Sequence, residues 1–331
     1  MKFLITIIPT LFFLGCESKP TILSPDDAAL GIYNLEYIDI PLRPAGLYHG
    51  VDFLDEMIGL IVGNNGTIVG TTDGGISWKV LDSTTGVLLK DVAILDYQTA
   101  VVVGQNRILR TEDGGDTWGQ VYTPDKQIDF WKVDFANERL GYAVGGRFIL
   151  RTNDGGKTWQ PQEYTVAKGN FLDITIVDSN VAYITPLKGS ILHTTDGGKS
   201  WDFYSRPEGA GNTYAMDVSS DGWFLAGDNY IVTTKDSKTT WKTLQYSPER
   251  IREIIMWADG SGIVFGAGNY SGGDFGHTMG SMFYTTDAGE NWQGTYQLNR
   301  TMQIESASFI LQQLGYVVAG NVLIKITRQR G

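Results

Sequence analysis

A chain of 331 residues with 42% hydrophobic and 19% charged side chains is long enough for a packed core and too apolar to be disordered. Its 37 acidic residues outnumber 26 basic ones, for a formal net charge of −11. That balance excludes the basic stripe a nucleic-acid binder needs, and an anionic membrane surface repels the body of the protein.

The amino-terminal stretch reads as an address rather than as part of a fold. Lys2 precedes an apolar run from Phe3 to Gly15, broken by Pro9 and too short to span a bilayer as a helix. It ends in Phe13-Leu14-Gly15-Cys16, which resembles a bacterial lipoprotein signal; Cys16, the one cysteine, is the expected lipidation site, with Phe13 where Leu is usual. The expected organisation is a signal peptide over 1–15, a tether over 16–30 and one β-rich domain over 31–331. The expected location is the cell envelope, lipid-anchored at the outer membrane, with no membrane contact besides the anchor.

From residue 47 onward the chain repeats. Thr71-Thr72-Asp73-Gly74-Gly75-Ile76-Ser77-Trp78 returns as 111–118, 152–159 and 194–201, and more loosely in copies ending at Trp241 and Trp292. The Trp positions are 78, 118, 159, 201, 241 and 292, a period near forty with one long step at the end. In each copy the carboxylate (Asp73, Asp113, Asp154, Asp196, Asp236 or Asp287) can accept hydrogen bonds from backbone N–H groups just downstream. The glycines supply positive φ, and the Trp buries a large ring at the start of a strand. This turn is the Asp-box, and its roles are structural. Between the turns, short strands bounded by Gly recur, as in Gly59-Leu60-Ile61-Val62-Gly63 and Gly141-Tyr142-Ala143-Val144-Gly145. Four strands per repeat predict propeller blades at roughly 47–82, 89–123, 130–165, 171–206, 213–247 and 252–297. The tail offers three more strands, 306–310, 315–320 and 322–327, and residues 32–40 read as a fourth. The predicted fold is therefore all-β, a seven-bladed β-propeller of four-stranded blades closed by an N-terminal strand, with Asp-boxes in six blades.

The line from Gly141 to Trp159, with its copies, resembles one repeat of the photosystem II stability and assembly factor family. The resemblance covers about Leu47 to Thr327 and is strongest in blades two to four. It implies a non-catalytic propeller without cofactor that binds and helps to assemble a protein partner. Photosynthetic members present a patch of arginines to that partner. Arg110 and Arg151 stand at the matching position here, whereas Gly70, His193, Thr233 and Tyr284 occupy it in other blades.

Two regions are candidate binding sites on one face. Blade six carries a Gly-rich insertion, 266–280, with Tyr270, Asp274, Phe275 and His277. The starts of the innermost strands offer His49, Lys90, Asp91, Trp131, Lys132, Asp173, Tyr214, Arg252, Glu253 and Glu305 around the channel mouth. The expected ligand is a protein segment and the expected state a monomer; a carbohydrate is the second candidate ligand. The enzyme alternative is a sialidase or other glycoside hydrolase. Sialidase chemistry needs three arginines on a carboxylate, and the arginines here fall mostly on third strands; a glycosidase pair could be drawn from Asp91, Asp173 and Glu253. No metal site is predicted, because His49, His193 and His277 are scattered and Cys16 belongs to the signal.

Overall fold

The computed structural model describes residues 21–22, 32–40, 46–164, 169–207, 210–228, 230–235, 241–245, 250–270, 277–297 and 304–329. Their strands form seven antiparallel sheets: six of four strands in sequence order, and a seventh that joins the two ends of the chain. In the seventh, Ile304–Leu311, Leu314–Ala319 and Val322–Arg328 run outward, and Tyr33–Asp39 completes the blade by pairing along Val322–Arg328 from Asp39↔Val322 to Tyr33↔Arg328. The predicted closure is therefore present. One feature departs from expectation: within the stretch read as a tether, Thr21–Ile22 pairs with Tyr37 and Glu36 as a fifth strand on that blade.

The second strand of each blade explains the arrangement. Gly59–Gly63, Ala100–Gly104, Gly141–Gly145 and Ala182–Pro186 are buried at every residue, because a neighbouring blade covers each face. The fourth strands, such as Lys79–Asp82 and Gln160–Pro161, are largely exposed at the rim. Apolar side chains accordingly collect between blades, in seven clusters, one per junction. At the junction that closes the ring, Phe53 stacks on Tyr316 with centroids 3.6 Å apart, and Tyr48 N donates to Gly320 O.

The Asp-box turns are built alike. In the first, Thr71 Oγ1 donates to Asp73 Oδ1 and accepts from Gly75 N, while Ser77 gives its N–H to Asp73 Oδ1 and its hydroxyl to Oδ2. The same bonds recur around Asp113, Asp154, Asp196 and Asp287, with Asn291 in place of the hydroxyl residue in the last. In that copy Ala288 adopts φ 57° where a glycine usually stands. Asp236 lies outside the described residues. Trp118, Trp159 and Trp201 are buried and Trp78, Trp241 and Trp292 half-buried; the indole N–H of Trp78 and of Trp159 donates to the carbonyl of the second box glycine.

Candidate functional site at the channel mouth

The innermost strands, Tyr48–Phe53, Leu89–Ile94, Lys132–Phe135, Phe171–Ile176, Thr213–Ser219, Arg250–Met256 and Ile304–Leu311, line the central channel. Six of them shift register near their start, at His49, Lys90, Leu172, Tyr214, Arg252 and Glu305. In the remaining blade Trp131 N and the first strand residue, Lys132, both face Val144. A bulge re-aims its extra side chain. The seven bulge residues, one per blade, all line a cavity of 260 Å³ at one end of the channel.

All ten mouth residues expected from the sequence line this cavity, together with Asn170, Leu172, Leu187 and Ser306, which sequence reasoning missed. Leu172 was obscured by the register shift: strict alternation points to Asp173, but the bulge turns both residues toward the channel. Of the named binding candidates, Trp131, Tyr214 and Arg252 meet here. Tyr270 and His277 do not stand in an irregular loop. Gly262–Tyr270 and His277–Thr285 form one long hairpin whose last described pair is Tyr270↔His277. Because Ala267 pairs with Arg250 at the mouth, the three further pairs project beyond it, by about 10 Å at strand rise. Asp274, Phe275 and Cys16 lie outside the described residues.

The mouth sets two cations on aromatic faces and also holds the carboxylates Asp91, Asp173, Glu253 and Glu305. Lys90 Nζ sits 4.3 Å from the centre of the Trp131 ring, and the Arg252 guanidinium 4.9 Å from that of Tyr214. Among the described residues neither cation has a carboxylate within 4.0 Å, and Arg252 Nε is shielded from solvent without an acceptor. Burial lowers the Lys90 ammonium, with Glu305 and Asp129 opposing. Blade five is braced at the rim: Asp228 accepts from Arg250 Nε at 3.1 Å, Asn212 Nδ2 at 2.7 Å and Tyr214 Oη at 3.3 Å. Opposite, His49 Nε2 bonds Asn64 Oδ1 at 2.9 Å, and its Nδ1 lies 3.7 Å from Glu305 Oε2.

Below the mouth the chemistry changes to buried carboxylates that clasp one blade to the next. Asp52 accepts from Ile94 N, Asp91 from Val133 N, Asp173 from Met216 N and Asp217 from Met256 N, at 2.7–3.1 Å. Glu253 accepts from Ala307 N, and Ser308 of blade seven bonds Asp52 and Phe53 N of blade one. Asp134 bonds its own neighbour Phe135 N instead. Burial pushes Asp91 and Asp217 up to about 6, and Asp134 and Glu253 up to about 7. Lys132 stands among them, 3.9 Å from Asp91 Oδ1 and 3.8 Å from Glu253 Oε1. Burial opposes its charge, but Asp91, Glu253, Asp173 and Asp134 outweigh that and hold the ammonium above its ordinary range. The three carboxylates considered for glycosidase chemistry are thus each tied to a backbone N–H of the adjacent blade.

Arg110 and Arg151 do not form an open patch. Each reaches across to the next blade, Arg110 Nε to Gly155 O at 2.7 Å and Arg151 Nε to Gly197 O at 2.6 Å.

The family model described as Photosynthesis system II assembly factor YCF48 matches residues 32–128, 124–202 and 163–308. No curated protein matches significantly. Among solved structures, YCF48 bound to D1 peptide is similar at TM-score 0.72 and 18% identity, covering 89% of this chain and 95% of that one. YCF48 from Cyanidioschyzon merolae is similar at 0.70 and 19%, covering 88% and 98%. A catalytically inactive virginiamycin B lyase from Staphylococcus aureus with quinupristin is similar at 0.72 and 13%, covering 89% and 99%. At these identities the likeness to solved structures is one of fold.

Proposed function

The chain belongs to the photosynthesis system II assembly factor YCF48 family, and from that membership and the chemistry of the channel mouth we propose that it is a non-catalytic propeller that holds a segment of a protein partner over its mouth. One observation carries the reading: Lys90 and Arg252 lie on aromatic faces, lack a carboxylate within 4.0 Å among the described residues, and face one cavity. A partner segment bearing a carboxylate, with apolar atoms for Trp131, Leu172 and Tyr214, satisfies both halves of that surface. The hairpin that rises past the mouth gives the segment a wall. The carboxylates considered for catalysis fit a structural role, since Asp91, Asp173 and Glu253 each accept from a backbone N–H of the adjacent blade. A relative bound to a D1 peptide supports a protein ligand over a carbohydrate.

The same proposal places the chain at the cell envelope, tethered by lipidated Cys16, on the strength of the apolar run and the Leu14-Gly15-Cys16 sequence. A photocrosslinking residue at Leu172 tests the binding site in cells of the source organism. The expected result is one dominant adduct, lost when Lys90 and Arg252 are both changed to Ala; an adduct pattern matching that of the same residue placed at rim position Phe203 contradicts it.

A further inference from the structure

The opposite end of the propeller, where the Asp-boxes lie, has a gap that the repeat itself explains. At three junctions a side chain crosses from one blade to the carbonyl of the first glycine in the next box. Arg110 reaches Gly155 O, Arg151 reaches Gly197 O, and Tyr316 Oη reaches Gly74 O at 3.3 Å. The first blade has neither kind of donor: Gly70 stands where Arg110 and Arg151 stand, and Leu60 stands where Tyr316 stands. Among the described residues nothing donates to Gly114 O.

The consequence is a cleft of 400 Å³ between blades one and two, with Gly70 on one wall and Gly114 on the other. A Cβ added at Gly155 or Gly197 would lie 3.9 or 4.0 Å from an arginine Nη2; at Gly114 the one neighbouring atom within 4 Å is Tyr97 O of its own blade. Gly114 is correspondingly exposed, whereas Gly74, Gly155 and Gly197 are buried. Apolar walls come from Leu60, Leu81 and the Trp78 ring, and Asp96 and Asp116 line the same space. Tyr97, 69% exposed, bridges the lip by donating to Asp55, and Lys79 bridges it at 3.0 Å from Asp116.

We propose that this cleft is a docking site for an arginine side chain carried by a protein partner. The chain supplies the template: in the two following junctions the same position is filled by an arginine that donates Nε–H to the box carbonyl. The cleft offers that carbonyl without a donor, apolar walls for the methylenes and two carboxylates for the guanidinium. This site is at the far end from the mouth and does not depend on the mouth's role.

The probe is Nα-acetyl-arginine amide, titrated into the folded chain and followed by the backbone amide resonances of Gly114 and Gly115 and the indole N–H of Trp78. A single side chain is expected to bind saturably with a Kd on the order of 1–10 mM. The lysine and leucine analogues should bind at least about tenfold more weakly, because neither can donate in the arginine geometry. Gly70→Arg should abolish the response by filling the cleft from within; its Cβ meets the ends of Leu60 and Leu81 at 3.2 Å and Gly59 O at an ordinary contact of 3.8 Å. Leu60→Tyr fills the cleft by the route Tyr316 takes and serves if the first variant does not fold. Failure of the arginine probe to saturate, an equal response to the leucine analogue, or undiminished binding in a folded Gly70→Arg or Leu60→Tyr variant would overturn the proposal. So would a self-association of the chain that Gly70→Arg removes while the probe has no effect, since the occupant would then be a second copy.

Discussion

Asp154 and Trp159 stand five residues apart in one turn and carry different loads. Asp154 satisfies Thr158 N and Oγ1 and accepts from Thr152 Oγ1, all within the turn. Trp159 is buried in the cluster between blades two and three, edge-on to Phe135 at 6.0 Å. Trp159→Ala should therefore cost about 3–5 kcal/mol through the cavity it leaves, and Asp154→Ala about 1–3 kcal/mol through unpaired turn donors. Urea unfolding of the two variants checks the order; an Asp154 variant less stable than the Trp159 variant would mean that the turn, not the core, sets stability here. The box bonds were legible in the sequence because all their partners lie within four residues. The blade clasps were not, because Asp91 and its partner Val133 N are separated by a whole repeat. Nothing in the local pattern distinguishes such a carboxylate from a solvated or catalytic one.

At the scale of the strand, alternation and glycine spacing located the blades to within a few residues, and the incomplete seventh repeat implied the closing strand. Two features were hidden for physical reasons. The register shift at the start of the innermost strands inserts one residue into a period of two, so Leu172 was missed beside Asp173. The glycines of the 266–280 insertion leave no strand-like alternation to follow, although the backbone on both sides pairs regularly out to Tyr270↔His277. The closing strand gives the clearest test at this scale. Tyr33–Asp39 pairs over its whole length with Val322–Arg328, and Tyr33 and Leu35 are buried in the cluster between blades six and seven. Deleting 32–40 exposes that strand edge and removes three core side chains, Tyr33, Leu35 and Ile40. The truncated chain should melt well below the parent and associate on warming; a truncation with the parent's melting temperature and monomer elution would show that the ring does not need the strand.

For the whole molecule, the channel carboxylates and the box aspartates pull the pH dependence in opposite directions. Asp91, Asp134, Asp217 and Glu253 have folded pKa values raised by burial above their unfolded ones. The folded state therefore binds more protons in that interval, and the stability they contribute is present below about pH 4 and lost as pH rises through 6 to 7. The box aspartates run the other way: hydrogen bonds from Thr117 hold Asp113 down at about 2, and Asp73 and Asp196 are lowered by Ser77 and Ser200 in the same manner. Their contribution is present above about pH 4 and lost as pH falls toward 2. The melting temperature should consequently peak on the acid side of neutrality, near pH 4–5, and fall on either side. A maximum at pH 7 or above, in thermal melts at constant ionic strength, would contradict the buried-carboxylate picture of the channel.

Capture of the partner by the intact chain tests the binding role most directly. The tagged chain, recovered in detergent from whole cells of its source, is compared with a Lys90→Glu, Arg252→Glu variant whose melting temperature has been matched to the parent. Both side chains lie at the mouth rather than among the clasps, so the fold should persist while the charge on the two aromatic faces is reversed. The account predicts one protein recovered with the parent by mass spectrometry and lost with the variant. Equal recovery by both, or a glycosidase turnover in the parent that Asp91→Asn, Asp173→Asn or Glu253→Gln abolishes, would contradict it.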